Sequence, residues 1–422
     1  MNARRLVPAL TLLLASPLAM AAVSDAEFQA LKDSIAVLTQ QLAAMEQELA
    51  AERAAGAPPA APAAVAVAPA APAAGPAWSD TIAWQGDFRY RYENIDEQDK
   101  DERNRSRIRA RAGLVAKLQP DLETGFGLAT GTDGDPVSTN QTLGGGGSRK
   151  DIYLDLAYFR KGLMPGLNMT GGKFRNFLYR PGRHQMLWDS DWNPEGLGLV
   201  YQGETFFANA LGSWLDGDSA DGTQFAWGGQ AGVRLPFGDA ARLTAGIGYY
   251  DIDTQGESIT FVVDDKLKYF GNSYICSPPD SSDPDDCVYA SSYRELEGFA
   301  ELGFELGSVP ASVFVDYVRN GAADANDTGY AAGFTVGQVK GRGSWELSYA
   351  YQDLEADAVI GLLTDSDFGG GGTDTRGHLL RGTWGLGDKW NLGLTYFLNE
   401  IGRDAGNERD YDRAQVDLNF RY

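Results

Sequence analysis

The chain has 422 residues and a formal net charge of −22 at neutral pH, an acidity that excludes nucleic-acid binding, because neutralising phosphates requires a basic surface. Beyond the N-terminal segment it has no apolar run of the 18 or more residues that a membrane helix needs. Yet it holds 52 Gly, 9 Trp and 19 Tyr, which is rich for a soluble acidic domain; a transmembrane β-barrel reconciles these facts, since its strands alternate lipid-facing apolar with lumen-facing polar residues.

Residues 1–21 have the three parts of a secretory signal peptide: Arg4 and Arg5, the apolar run from Leu6 to Leu14, and the small-x-small sequence Ala19-Met20-Ala21. The apolar core is too short to span a bilayer, so cleavage after Ala21 and export are expected. Within residues 22–53, Phe28, Leu31, Ile35, Leu38, Leu42, Met45 and Leu49 are spaced alternately by three and four. That period predicts a left-handed coiled-coil helix in the periplasm; an amphipathic helix lying on its own domain is the alternative. About three and a half heptads are marginal alone, so the helix is expected to assist an oligomeric barrel. Residues 54–77 are almost entirely Ala, Pro, Gly and Val, a spacer that reaches roughly 70 Å when extended.

From Trp78 the pattern changes, and residues 78–422 read as all-β, a transmembrane antiparallel β-barrel of about 16 strands. They fall near 82–92, 104–118, 121–131, 151–160, 167–175, 196–202, 204–215, 223–235, 241–252, 293–306, 310–319, 328–338, 343–354, 376–386, 389–399 and 411–422. In the first, Ile82, Trp84, Phe88, Tyr90 and Tyr92 share one face and Gln85, Asp87, Arg89 and Arg91 the other. Short turns, such as Gln119-Pro120 and Gly387-Asp388, alternate with long loops near 93–103, 132–150, 176–195, 216–222, 253–292, 320–327, 355–375 and 400–410. Sorting of this kind puts all short turns at one rim, the asymmetry of outer-membrane barrels. Fourteen or eighteen strands remain open, because 259–270 could add a hairpin. The last strand ends in an aromatic residue, Tyr422, a feature read by outer-membrane assembly machinery.

The segments GDFRYRYE (86–93), LATGTDGDPVSTNQTLGGG (128–146), DIYLDLAYF (151–159), WDSDWNPEG (188–196), DLEADAVIGLLTDSDFGGGGTDTRGH (353–378) and LTYFLNE (394–400) together make residues 78–422 resemble the bacterial family known as putative porins. The resemblance implies a pore in the cell outer membrane, among lipid and lipopolysaccharide, for passive diffusion of small hydrophilic solutes; it names no solute. Analogy with sixteen-strand porins implies a homotrimer and an inward-folded third external loop. For 176–195, that loop would bring Arg180, Arg183, Asp189 and Asp191 to a constriction. The reading from another class is an outer-membrane barrel enzyme or an envelope tether whose coiled coil touches peptidoglycan.

Arg105, Arg107, Arg109 and Arg111 are spaced by two, so they share a face opposite Ile108, Ala110, Ala112 and Leu114 and are expected in the lumen, beside Arg89, Arg91, Arg413 and Arg421. Glu295, Glu297, Glu301 and Glu305 likewise share the inner face of the tenth strand. A basic wall facing an acidic wall predicts a transverse field; local pairing of these charges is the competing expectation. Cys276 and Cys287, the only cysteines, lie in the longest loop of an exported chain, so a structural disulfide is expected. His184 and His378 are the only histidines. His184 with Asp189 or Asp191, or His378 with Asp365 or Asp367, could be drawn as hydrolase pairs, but polar loop or strand residues are the expectation, with no catalytic residue, metal or cofactor. The glycine runs 144–147 and 369–372 lack the Lys-Ser/Thr of a phosphate loop and are expected to be flexible external loops. Asp189, Asp191 and Asn193 open like a calcium loop, but Pro194 stands where glycine is needed.

Overall fold

The computed structural model describes residues 81–217, 223–238, 240–257, 262–263, 266–267, 269–279, 281 and 286–422. The expected signal peptide, heptad helix and Ala/Pro linker lie outside the described residues. Sixteen antiparallel strands each pair with the next: β1 Ile82–Glu97, β2 Arg103–Gln119, β3 Leu122–Thr130, β4 Ile152–Met164, β5 Leu167–Lys173, β6 Glu195–Gln202, β7 Phe206–Asp216, β8 Gln224–Phe237, β9 Ala241–Ile252, β10 Tyr293–Leu306, β11 Val309–Asn320, β12 Thr328–Gly337, β13 Trp345–Leu354, β14 Thr375–Gly387, β15 Trp390–Ile401 and β16 Arg409–Arg421. β16 then pairs with β1, from Asp87↔Arg421 to Glu97↔Tyr411. The sheet therefore closes on itself, which satisfies the backbone groups that an open edge would strand in lipid.

Period-two alternation gives every strand an inner and an outer face. In β16 Tyr411, Arg413, Gln415 and Asp417 are buried inside while Val416 is exposed; in β7 Phe207, Asn209, Leu211 and Ser213 are buried while Phe206 and Trp214 are exposed. The outer surface carries two aromatic belts. Trp84, Phe206, Phe237, Trp345, Trp384, Trp390 and Tyr422 ring the short-turn end, and Trp214, Trp227, Tyr249, Tyr317, Tyr330 and Tyr396 ring the long-loop end. From Phe206 to Trp214 the strand rises roughly 26 Å, or about 20 Å along the axis at a ~40° tilt, near the height of a membrane-facing apolar band.

The possible hairpin near 259–270 adds no barrel strand: Val262–Val263 pairs only with Lys266–Leu267. The loop after β3 is less plain than its sequence suggests. β3 covers β2 only as far as Ala129↔Arg111, and Gln141–Thr142 folds back to pair with Ile108 and Arg107. β1 and β2 stay paired out to Ile95↔Arg103, so the connection at 98–102 is shorter than the turn at 338–344. The short–long contrast holds as a topology, not as a strict ranking of lengths.

Loops 174–194 and 355–374 both fold into the barrel. Leu178, Met186, Leu187, Trp188 and Trp192 of the first join Val359, Ile360, Leu362, Leu363 and Phe368 of the second in one apolar cluster against Tyr250, Tyr293, Phe314, Leu354 and Phe397 of the wall. Gly182 makes the close approach possible: it has φ +60°, and a Cβ there would lie 2.1 Å from the Phe314 ring. The run 369–372 is therefore not an external loop. Gly369 is buried and donates to Asn399 Oδ1 at 2.9 Å, and a Cβ on Gly372 (φ +102°) would meet the Phe270 carbonyl at 2.1 Å.

Cys276 and Cys287 form the expected disulfide, closing a short strand pair, Tyr274–Cys276 with Cys287–Tyr289. The same loop props the inward-folded 355–374. Buried Asn272 donates to the Ala356 and Val359 carbonyls at 2.7 and 2.8 Å and accepts from Gly361 N at 2.7 Å. Thr373 N donates to Phe270 O at 2.7 Å.

Candidate functional site

The β1–β2 register sets Arg89 opposite Arg109 and Arg91 opposite Arg107, with Asp87 opposite Arg111 and Glu93 opposite Arg105. Like charges directly opposed repel, so this wall needs more carboxylates than its own strands hold. Asp87 takes Arg109 and Arg111 at 2.9 and 2.7 Å. Glu93 takes Arg105 and Arg413, and Asp417 of β16 accepts both Nε and Nη2 of Arg91 at 2.7 and 2.8 Å. The side chains of Arg105, Arg107, Arg109 and Arg111 are only 17, 11, 14 and 18 % exposed.

The missing carboxylates come from the two inward loops, each through an Asp-Ser-Asp turn. In both turns the first aspartate accepts from the backbone N–H of the second: Asp191 N to Asp189 Oδ1 at 2.7 Å, and Asp367 N to Asp365 Oδ1 at 2.8 Å. The turns dock on one another through Ser366 N to Asp189 Oδ2 at 2.9 Å and Asp189 N to Leu363 O at 2.8 Å. The second aspartate of each reaches the ladder. Asp191 meets Arg111 and Arg109 at 3.1 and 3.6 Å and accepts from the Thr139 hydroxyl at 2.8 Å. Asp367 meets Arg91 at 2.7 Å and Arg413 at 2.8 Å.

Electrostatics separate the members of each turn. Burial, then the charges of Asp191 and Asp365, pushes Asp189 well above the usual carboxylate range, and burial with Asp367 raises Asp365. Burial acts against Asp191 too, but Arg109 and Arg111 outweigh it and bring it to about 2. Arg413 and Arg91 likewise outweigh burial and hold Asp367 well below the usual range. Seven arginines (Arg89, Arg91, Arg105, Arg107, Arg109, Arg111, Arg413) thus meet five charged carboxylates (Asp87, Glu93, Asp191, Asp367, Asp417). The surplus of two sits at Arg89, which donates to Asn140 Oδ1, and Arg107, which reaches Glu93 only at 3.7 Å; the Nε of each is buried without a partner.

Chambers lie on both sides of this strait. One of about 1190 Å³ on the long-loop side is lined by Arg103, Arg105, Arg107 and Arg413 among others. One of about 1230 Å³ on the short-turn side is lined by Arg109, Arg111, Arg175, Arg180, Arg183, Arg381 and Arg421, with Asp87 and Glu346 the only acidic side chains among the described residues. The partition falls between neighbouring rungs of the ladder, Arg107 and Arg109.

The expected acidic wall does not face the basic one across open space. Glu295 and Glu297 are 0 and 2 % exposed, because the inward loops cover them: Glu295 accepts from Ile360 N at 3.1 Å, and Glu297 binds Gln230 and Tyr250 at 2.9 and 2.8 Å. Glu301 accepts from Tyr179 OH and Gly182 N at 2.6 and 2.9 Å, and Glu305 is exposed near the short-turn rim. Of the loop residues singled out beforehand, Asp191 joins the ladder, Asp189 is buried behind it, Arg180 donates to Trp188 O at 3.3 Å, and Arg183 pairs with Glu346 at 2.8 Å. Neither hydrolase pairing forms: His184 bonds Gln352 at 2.7 Å, and His378 stands on the outer face against Tyr349 at 2.8 Å. Asn193 bonds Asp155 at 2.7 Å, away from Asp189, and among the described residues no acidic or histidine cluster could hold a metal. Sequence reasoning named Asp365 and Asp367 only as hydrolase partners of His378 and missed their place at the ladder, and it missed Asn140 altogether. The signal for the first two was the repeated Asp-Ser-Asp in two distant loops.

A family model described as putative porin matches residues 95–264 and 294–422. Among solved structures, OprB of Pseudomonas putida at high pH is 12 % identical, covers 82 % of this chain and 95 % of its own, and superposes with a TM-score of 0.54. A loop L8 deletion mutant of Vibrio cholerae OmpT is 14 % identical, with 81 and 100 % coverage and a TM-score of 0.46. At 12 % identity the likeness to OprB is one of fold. No curated protein matches the chain in sequence.

Proposed function

The chain belongs to the putative porin family, and from that premise we propose how this outer-membrane channel works. Small hydrophilic solutes diffuse passively from the long-loop chamber, past Arg107 and Arg89, into the short-turn chamber. One observation carries the reading: two chambers of about 1190 and 1230 Å³ lie on either side of the arginine ladder, inside a barrel whose outer face suits lipid. The Asp191 and Asp367 contacts hold both loops against the wall, so they set the width of that strait. The engagement of His184 with Gln352 and the outward position of His378 favour a channel over a hydrolase. The heptad repeat at 28–49 supports a homotrimer gathered by periplasmic helices, with residues 54–77 as the spacer and 1–21 as the removed leader.

The test is planar-bilayer recording of the purified, folded protein. Stepwise ohmic openings are expected; a barrel that inserts but never conducts refutes the proposal.

A further inference from the structure

We propose that the short-turn chamber is a binding site for small organic carboxylates and makes the channel anion-selective, an inference that rests on the porin reading above. The chain as a whole is strongly acidic, yet among the described residues this chamber presents seven arginines and two acidic side chains. Arg109 and Arg111 are matched by Asp87 and Asp191, and Arg183 by Glu346. Arg175, Arg180, Arg381 and Arg421 have no carboxylate within 4.0 Å among the described residues, although they share one enclosed chamber rather than open solvent. The four come from separate parts of the fold: the inward loop, β14 and the end of β16. Nothing but the chamber brings them together.

A group of guanidinium ions without direct ion pairs, outnumbering the acidic side chains around them, holds a positive potential in a confined space, and low-dielectric walls focus it. Each guanidinium presents a planar fork of donors that fits a carboxylate bidentately. Neutral hydrogen-bonding side chains, Ser312, Thr335, Ser348, Thr383 and Asn391, line the rest of the chamber and suit the hydroxyl or amide groups of such a solute. An anion leaving toward the strait next meets Arg109 and then the surplus charge at Arg89 and Arg107, so the favourable field continues along the path. A cation meets the same field as a barrier.

The experiment uses the full-length protein in planar bilayers under a potassium chloride gradient at low ionic strength, with succinate and its neutral diamide as probes. The wild type is expected to reverse toward the chloride equilibrium potential. Succinate on the short-turn side should reduce chloride current, and the diamide should not. In Arg175→Gln/Arg180→Gln/Arg381→Gln, the chloride-to-potassium permeability ratio should fall by about three- to tenfold at low salt, with the succinate block lost. The corresponding triple Lys variant keeps the charge and should keep the anion preference, but with weaker block because the fork is gone. Arg319→Gln, paired with Asp327 away from the lumen, is the control and should change neither. A cation-selective wild type, or a triple Gln variant with unaltered selectivity and block, overturns the proposal while leaving the porin reading intact. Absence of any conductance would instead remove that reading.

Discussion

Replacing Asp367 by Asn removes the charge that joins loop 355–374 to Arg91 and Arg413. Both arginines are buried, at 4 and 2 % exposure, and breaking a buried pair from one side costs about 3–5 kcal/mol. Here each arginine keeps a second carboxylate, Asp417 or Glu93, and the Asp367 side chain is 19 % exposed. The cost therefore falls at or below the bottom of that range, about 2–3 kcal/mol. That raises the ratio of released to docked loop roughly 30- to 150-fold, and the strait's surplus charge grows from two to three. Amide exchange of Phe368–Thr373 should accelerate accordingly, and single-channel records should become larger and noisier. Asp365→Asn is the control: it faces no arginine within 4.0 Å and an Asn keeps the acceptor for Asp367 N, so its effect should stay under about 1 kcal/mol. The contact should also survive acid. The carboxylate of Asp367 is depressed in the fold, so its contribution is fully present above the unfolded value of about 3.9 and is lost only as pH falls through the much lower folded value. Equal exchange rates in Asp367→Asn and the wild type would refute the reasoning, as would equal acceleration by Asp365→Asn.

Three other outcomes follow from the same geometry. Reducing the Cys276–Cys287 bond, or replacing both by Ser, removes about 3 kcal/mol of loop ordering; Gly361 and Thr373 amides, which donate to Asn272 and Phe270, should exchange faster, and unchanged exchange contradicts the propping role. Burial lowers His184 to about 4 despite its bond to Gln352, so its contribution is present above the unfolded value of about 6.5 and is lost as pH falls toward 4; acid loosening of loop 174–194 across that window should be absent in His184→Gln. Deleting residues 22–77 should leave a folded, conducting barrel of reduced oligomer stability, and a monomer by light scattering both before and after deletion would rule out the heptad's role.

The barrel was legible because its physics is local. Alternation in β1 or β16 needs only neighbouring residues, and the sorting of connections needs only their lengths, so sixteen strands and the disulfide follow from the chain read in order. What fills the barrel is not local. Loop 355–374 has no period to read, its glycine run fits a flexible external loop as well as a tightly packed one, and Asp367 meets Arg91 across most of the chain. Period two places Glu295 on an inner face but cannot say that Ile360 will cover it. The same pattern assigns a face to Arg89 without revealing that Asn140 stands before it. Only the repeated Asp-Ser-Asp hinted that two loops share a task.

The two arginines that receive Asp367 stand on β1 and β16, the first and last strands of the barrel. Their carboxylate site does not exist until those strands have met, whatever the state of the other fourteen. Loop 355–374 therefore gains this part of its anchorage only once the seam has zipped. By reciprocity, whatever free energy the loop gains from the completed seam it returns to it, so the element that narrows the finished passage also acts as the rivet of its maturation.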